Sequence, residues 1–192
     1  EEFTNENEGK FTYTKYPMNW PGSGDPYSTS EAGIRKTFYD VSGVPKIFFD
    51  GIVDESYAIE PEELEAKLAT PSIVNIRGAF NIEGSTINVT ADFMSYIDID
   101  NMKAFISVNE KTTTENVGSN GETEFHHIMM KMLEDAEGND ISISAGEYQS
   151  FEFSYDMSTT NVEEISDLEV ALWLQDAETK EIFNSRFAYE YT

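Results

Sequence analysis

Hydrophobic and polar residues alternate with a period of two through most of the chain after residue 72. This alternation predicts β-strands with one buried and one exposed face. Seven segments carry it, separated by turn-forming residues: 73–82, 86–97, 102–109, 124–133, 147–157, 167–176 and 181–191. Strands at this spacing predict an antiparallel β-sandwich over residues 72–192.

The same alternation predicts which side chains fill the space between the two sheets. We expect the inner faces to carry Ile76, Phe80, Val89, Phe93, Phe105, Val108, Phe151, Phe153, Val170, Leu172 and Leu174. Methionine adapts to irregular gaps, so the same core is expected to take in Met129, Met130 and Met132.

A first short helix is predicted near residue 30. Ser28 or Ser30 is expected as its N-cap, because a hydroxyl there accepts a free backbone N–H of the first turn. Ile34 and Phe38 then lie on one face, spaced by one helical turn.

A second helix is predicted to open at Pro61, with acidic residues at the positive end of its dipole. Its Leu64 and Leu68 are expected to face a sheet. The run 70–72, Thr-Pro-Ser, ends this helix and marks a boundary. The chain is therefore predicted to hold an α/β domain over residues 1–70 and the sandwich over 72–192.

The segment 41–51, Val-Ser-Gly-Val-Pro-Lys-Ile-Phe-Phe-Asp-Gly, resembles the cis-proline strand and following hairpin of a thioredoxin fold. X-Pro bonds have ready access to cis, so we expect the Val44–Pro45 bond to be cis. Asp50-Gly51 supplies the two positive φ angles of a type I′ turn. We expect residues 46–49 to pair antiparallel with 52–57.

Two observations set this chain apart from a redox-active thioredoxin. It has no cysteine, so the Cys-x-x-Cys thiolate that attacks disulfides has no counterpart. The link near residues 5–9 is also too short for the first helix, since a parallel crossover needs about a dozen residues. Either the domain is degenerate or a segment lies outside this sequence; we favour the second explanation, which predicts a chain gap wider than one peptide link there.

The charge narrows the function classes. Twelve Lys and Arg against 37 Asp and Glu give a net charge of -25, which repels phosphate backbones and disfavours nucleic acid. Anionic membrane surfaces are disfavoured for the same reason, and no apolar run is long enough for a membrane-spanning helix. The acidic residues either keep the protein soluble or attract a basic partner. We therefore expect an unknown protein or peptide partner that is neutral or basic.

Three blocks of sequence resemble the 28-kDa outer-membrane-protein-related family of Bacteroides-type bacteria. They are residues 1–4, residues 16–27 with 43–45, and residues 116–118 with 125–133. The resemblance implies a thioredoxin-like domain followed by a C-terminal β-sandwich. It also implies an exported protein of the periplasm, outer membrane or cell surface, such as a lipoprotein whose anchor lies outside this sequence. In this family a Cys-x-x-Cys turn normally follows the first strand, and this sequence departs from the pattern there.

Candidate binding residues flank the predicted cleft. Val44 and Pro45 would present the backbone edge that holds an extended peptide in thioredoxin-like folds, or would serve the fold alone. Tyr16, Met18 and Trp20 lie on a loop bracketed by prolines. An exposed aromatic loop is typical of a binding platform. The alternative, a lid packed on the protein's own core, is slightly favoured.

Metal and catalytic patterns are weak. His126 and His127 are adjacent on a predicted strand and point to opposite faces, so they are not expected to chelate one metal. Alternate oxygen ligands suit calcium, but the full calcium loop is absent from the acidic turn with Asp135, Glu137, Asn139 and Asp140. No nucleophile triad, phosphate loop or metalloprotease motif occurs.

We thus expect no catalysis from these residues and no cofactor. The first hypothesis is an exported binding or adhesion module. The alternative is a thiol-disulfide oxidoreductase whose Cys-x-x-Cys segment is outside this sequence.

Overall fold

The computed structural model describes residues 6–7, 9–53 and 60–191. Its helices are α1 (Ser30–Phe38) and α2 (Pro61–Leu68), with 3-10 turns at Met157–Thr159 and Ile165–Asp167. The strands are β1 (Phe48–Phe49), β2 (Ile52–Val53), β3 (Val74–Glu83), β4 (Thr86–Ser95), β5 (Ile99–Thr113), β6 (Phe125–Leu133), β7 (Asn139–Ile143), β8 (Tyr148–Asp156), β9 (Leu168–Asp176), β10 (Ile182–Phe187) and β11 (Tyr189–Glu190).

Two sheets form the sandwich. The five-stranded sheet has the order β10-β9-β5-β6, and β7 pairs with the first part of β5. The four-stranded sheet has the order β11-β3-β4-β8. All pairs are antiparallel except β11 with β3, which run parallel. Five of the seven predicted strands are confirmed within a few residues. β5 extends to Thr113, and β7 is unexpected. The predicted strand 181–191 is divided into β10 and β11, which belong to different sheets.

The inner cluster, which lies between the sheets, contains most of the expected core. Eight of the expected residues are fully buried there: Ile76, Phe80, Val89, Phe93, Val108, Val170, Leu172 and Leu174. Phe151 and Phe153 are only half-buried at its margin, because β8 is the last strand of its sheet.

The outer cluster covers the opposite face of the five-stranded sheet. The prediction for Phe105 is wrong, because this side chain lies here and stacks on Trp173 with ring centroids 5.1 Å apart. Met129 and Met132 also lie here, whereas Met130 is in the inner cluster. Since both faces of β5 are covered, residues 104–110 are all buried and their alternation of polarity disappears.

The helices differ from prediction in their caps and faces. Thr29, not Ser28 or Ser30, caps α1, and its hydroxyl accepts the backbone N–H of Ala32. In α2, Leu64 is buried as expected, but Leu68 is 48% exposed. The predicted pairing partners 54–57 and residues 5 and 8 of the predicted chain gap lie outside the described residues.

Candidate functional site

The Val44–Pro45 step lies in the loop between α1 and β1. Its peptide bond is cis, as the sequence predicts. Val44 is 38% exposed and Pro45 is also exposed, so both side chains are open to solvent.

The hairpin that follows has the expected register and turn. Phe48 pairs with Val53, and Phe49 pairs with Ile52. Asp50 and Gly51 have φ angles of 47° and 75°, the two positive values that a two-residue type I′ connection requires. Local sequence chemistry therefore places the hairpin directly after the cis-proline loop.

Close backbone contacts fix the hairpin on the sandwich. The carbonyl of Asp50 accepts the backbone N–H of Ile182 at 2.8 Å. At Gly51 a Cβ atom would lie 1.9 Å from the carbonyl oxygen of Lys180, so only glycine fits this contact. The ammonium of Lys67 adds an ion pair with Asp50 at 3.3 Å, which also connects α2 to the turn.

Arg35 connects α1 to the five-stranded sheet. This side chain is 1% exposed. Its guanidinium donates to Gln175 Oε1 at 3.0 Å and to the Tyr39 hydroxyl at 3.1 Å. Five aromatic rings surround it within 6.0 Å: Tyr16, Phe38, Tyr39, Phe105 and Trp173. Aromatic faces attract a desolvated cation, so the rings compensate for the charge that these neutral acceptors do not neutralise.

Tyr39 continues this connection to the hairpin. Its hydroxyl also accepts from Gln175 Nε2 at 2.8 Å, and its ring stacks on Phe48 at 4.4 Å. The side chains of Arg35, Gln175, Tyr39 and Phe48 thus form one continuous set of contacts. Through it the sheet positions the loop that carries Val44 and Pro45.

The three loop residues predicted to bind lie on the side of α1. Tyr16 and Met18 pack against the outer cluster, as the lid alternative predicts. Burial raises the pKa of Tyr16 to about 12, and the nearby guanidinium acts in the opposite direction. Trp20 is half-buried, with the ammonium of Lys36 5.3 Å from its ring centroid. Its Nε1 is buried and has no hydrogen-bond acceptor among the described residues.

The structure therefore divides the predicted site residues into two groups. Tyr16 and Met18 are packing residues under α1, whereas Val44 and Pro45 are solvent-exposed. Trp20 is half-buried, so its exposure lies between those of the two groups. Their roles in binding stay predictions.

The two histidines have different carboxylate partners. His126 Nε2 lies 3.0 Å from Glu124, and His127 Nδ1 lies 2.7 Å from Glu169. Each ring thus has its own carboxylate partner.

The side chains of Asp135, Asn139 and Asp140 in the acidic turn contact other groups of the protein. Asp135 accepts the backbone N–H of Glu137 at 2.9 Å, and Asp140 pairs with Lys103 at 2.7 Å. Asn139 donates to two backbone carbonyls. Within the described ranges no group of three or more His, Cys, Asp or Glu side chains is arranged to hold a metal ion.

Sequence reasoning missed a buried carboxylate at the end of β5. Glu110 is fully buried, and it accepts the backbone N–H groups of Glu164 at 2.6 Å and Glu163 at 3.0 Å. Burial raises the pKa of Glu110 despite these two hydrogen bonds. The sequence could have indicated this burial, because Glu110 lies two residues beyond the inward-facing Val108 and residues two apart in a strand lie on the same face.

Glu163 belongs to the same network. Its carboxylate accepts the backbone N–H of Thr114 at 2.7 Å, that of Glu115 at 3.0 Å, and the hydroxyl of Tyr27. Burial acts to raise the pKa of Glu163, but the hydrogen bonds from Tyr27, Thr114 and Glu115 outweigh it and lower the pKa. The network joins the β5–β6 loop to the segment before β9, which is a structural role.

Comparison with known proteins supports the fold rather than a function. No protein-family model matches the sequence, and no curated protein matches it. Among solved structures, HBP35 of Porphyromonas gingivalis is similar to 82% of this chain with a TM-score of 0.62 and 16% sequence identity. The chain spans 57% of the HBP35 length. At this identity the likeness shows a shared fold alone.

A second similar structure is weaker. A domain of the outer membrane lipoprotein Omp28 from Porphyromonas gingivalis matches 64% of this chain and 93% of its own length, with 8% identity and a TM-score of 0.42. This score is too low to support an inference. Within the described residues, neither helix is long and apolar enough to cross a bilayer.

Proposed function

We propose that this chain is an exported, surface or outer-membrane-associated protein that acts as a binding module. In this proposal residues 1–70 form a thioredoxin-like domain and residues 72–192 the β-sandwich. The family resemblance of the sequence blocks supports it, and so does the fold shared with HBP35. The chain has no cysteine, so its own residues carry no thiol-disulfide exchange.

The observation that carries the proposal is the exposed Val44–Pro45 loop beside a fixed hairpin. The loop keeps apolar groups in solvent, while Gly51 and Asp50 hold the next segment against the sandwich. A fixed backbone edge loses little conformational freedom on binding, which favours recognition of an extended polypeptide. The net charge of -25 favours a neutral or basic one.

A matched pair of valine variants tests the role of the loop. Peptides selected from a random library on the wild-type protein are the probe. We expect Val44→Asp to weaken their binding at least about tenfold, because it places a charge in the apolar contact. Val117→Asp is the control, since Val117 is also exposed but lies in the β5–β6 loop. Equal affinity of the two variants would refute the assignment to this loop.

Trp20→Ala tests whether the aromatic loop takes part. If Trp20 contacts the partner, this variant binds more weakly while its thermal unfolding changes little. If binding is unchanged and the protein is less stable, the loop is a structural lid.

Raising the salt concentration should slow association with a basic peptide, because the charge of -25 steers the encounter.

A further inference from the structure

Strand β8 (Tyr148–Asp156) forms an open edge of the four-stranded sheet. Along the described chain it pairs with β4 on one side, and no strand pairs with its other side. β7 approaches it at Gln149, whose side chain accepts from Ser142 and donates to the carbonyl of Asp140. Among the described residues no strand lies beside residues 150–154 on this side, and at Tyr155 the ammonium of Lys131 lies 5.1 Å from the ring centroid.

The register shows which backbone groups face the open side. Thr86 pairs with Asp156, and the backbone N–H of Met157 donates to Ser85 at 2.9 Å. Hydrogen-bonded and non-hydrogen-bonded pairs alternate in an antiparallel ladder. The N–H and C=O groups of residues 151, 153 and 155 therefore bond to β4, and those of residues 150, 152 and 154 point away from it.

The inward side chains of β8 are incompletely covered. Phe151 and Phe153 pack against the inner cluster but stay half-buried, and their rings stack with centroids 6.2 Å apart. A further strand beside β8 would bring its own inward side chains over these rings. The open edge therefore combines free hydrogen-bonding groups with apolar surface.

The edges at β10, β11 and β6 are protected in ways that β8 is not. β10 carries a register irregularity between Ile182 and Asn184, and β11 has two residues. The open side of β6 is bridged by Lys15, which exchanges backbone hydrogen bonds with His127 and Met129. β8 has nine residues, no bulge, no proline and no lysine. Short strands, bulges, prolines, lysines and covering segments are the features by which proteins normally block edge-to-edge pairing, and β8 has none of the first four.

We propose that β8 is a docking edge for an extended segment of another protein in which apolar and basic residues alternate. Charge selects this occupant, because Glu152 and Asp156 are exposed on β8. A second copy of this chain would bring another acidic β8 against Glu152 and join two chains of charge -25. The apolar residues of the segment cover Phe151 and Phe153, and its basic residues face Glu152.

Three synthetic decapeptides and backbone hydrogen exchange test this proposal. The first alternates Val and Lys, the second has the same composition in two blocks, and the third alternates Val and Glu. We expect the first peptide to bind with a Kd of about 1 mM or lower, and the other two to bind at least tenfold more weakly. On binding, the amide protons of Ser150, Glu152 and Ser154 should exchange at least tenfold more slowly.

A charge reversal provides the matched control. Glu152→Lys should weaken binding of the alternating Val-Lys peptide at least tenfold. Glu178→Lys, which makes the same change in net charge in the exposed β9–β10 turn, should leave it within twofold. The Val44→Asp variant should bind this peptide normally, which separates this proposal from the function proposed for the cis-proline loop.

Several results would overturn the proposal. One is the absence of slowed exchange at residues 150, 152 and 154 at saturating peptide; failure of the alternating peptide to bind is another. Equal weakening by Glu152→Lys and Glu178→Lys would point to general charge attraction. A dimer in sedimentation experiments, with these amides protected in the absence of peptide, would assign the edge to a second copy.

Discussion

Gln175 accepts a hydrogen bond from Arg35 at 3.0 Å in a pocket that excludes solvent from both side chains. The same amide donates to the carbonyl of Lys180, the residue that contacts Gly51. One glutamine on β9 therefore connects α1 and the β1–β2 hairpin to the sandwich. The position of the cis-proline loop depends on this connection.

Arg35→Lys should lower the free energy of unfolding by about 2–3 kcal/mol. A lysine keeps the charge but loses the planar guanidinium that bonds Gln175 and Tyr39 together and stacks on aromatic rings. Urea unfolding at pH 7 measures the change. Arg77→Lys is the matched control, since Arg77 is exposed and should shift stability by less than about 0.5 kcal/mol. Similar midpoints for the two variants would contradict the role given to Arg35.

Gly51→Ala should cost more than Gly146→Ala, although both glycines have positive φ angles of 75° and 83°. At Gly146 a Cβ meets nothing within 4 Å, so only backbone strain of about 1 kcal/mol is expected. At Gly51 the Cβ also collides with the Lys180 carbonyl, and we expect about 3 kcal/mol or detachment of the hairpin. Faster hydrogen exchange at the Ile182 amide would report detachment. Equal costs for the two variants would show that strain alone matters.

Phe153→Ala should destabilise the protein by about 2 kcal/mol, below the 3–5 kcal/mol usual for a fully buried phenylalanine. Phe153 is half-buried at the open edge, whereas Phe93 is 0% exposed in the inner cluster. Phe93→Ala should therefore show the full cost in the same chemical denaturation experiment. A larger loss from Phe153→Ala than from Phe93→Ala would mean that the edge is covered in solution.

The Glu163→Gln variant should change how stability depends on pH. The folded-state pKa of Glu163 lies below its ordinary value of 4.5, so the folded state binds this proton less readily than the unfolded state. The stabilisation from Glu163 is complete above pH 4.5 and is lost as pH falls through the lowered pKa. The stability gap between wild type and Glu163→Gln should thus be largest near pH 7 and shrink in acid. A constant gap would contradict this.

Glu110→Gln should show the opposite trend. The pKa of Glu110 is raised above 4.5, so its charged form is disfavoured in the folded protein. The contribution of Glu110 to stability then falls as pH rises from about 4.5 through the raised pKa. Relative to wild type, the glutamine variant should gain stability across that rise. Urea midpoints measured between pH 3 and pH 8 test both carboxylates, and a parallel response of the two variants would contradict the assigned directions.

Local patterns in the sequence were sufficient for much of the sandwich and for the hairpin. Alternation over the segments of β3, β4 and β9 placed these strands within two residues of their observed bounds. Asp50 and Gly51 adopt the positive φ angles that their residue types favour. These features depend on residues close together in the chain, and for this reason the sequence alone determined them.

Local sequence patterns did not predict features that depend on the packing of both faces of one sheet. Phe105 was assigned to the wrong face, because α1 and the loop before it cover the outer side of β5 and hide its alternation. The predicted strands include none over residues 139–143, where β7 lies, and Leu68, which was expected to face a sheet, is 48% exposed. For Leu68 nothing local distinguishes burial from exposure, whereas the alternation over residues 140–143 was a local signal for β7.

The sequence by itself determined the β-sandwich, the cis-proline hairpin and the net charge of -25. Only the tertiary structure decided that Arg35 is buried among aromatic rings, that Glu110 is held by backbone amides, and that β8 is left open. Each of these depends on contacts between residues more than 50 positions apart, such as Arg35 with Gln175 and Glu110 with Glu163. The physical reason is that burial and pairing are properties of packed neighbours, which no periodicity along the chain encodes.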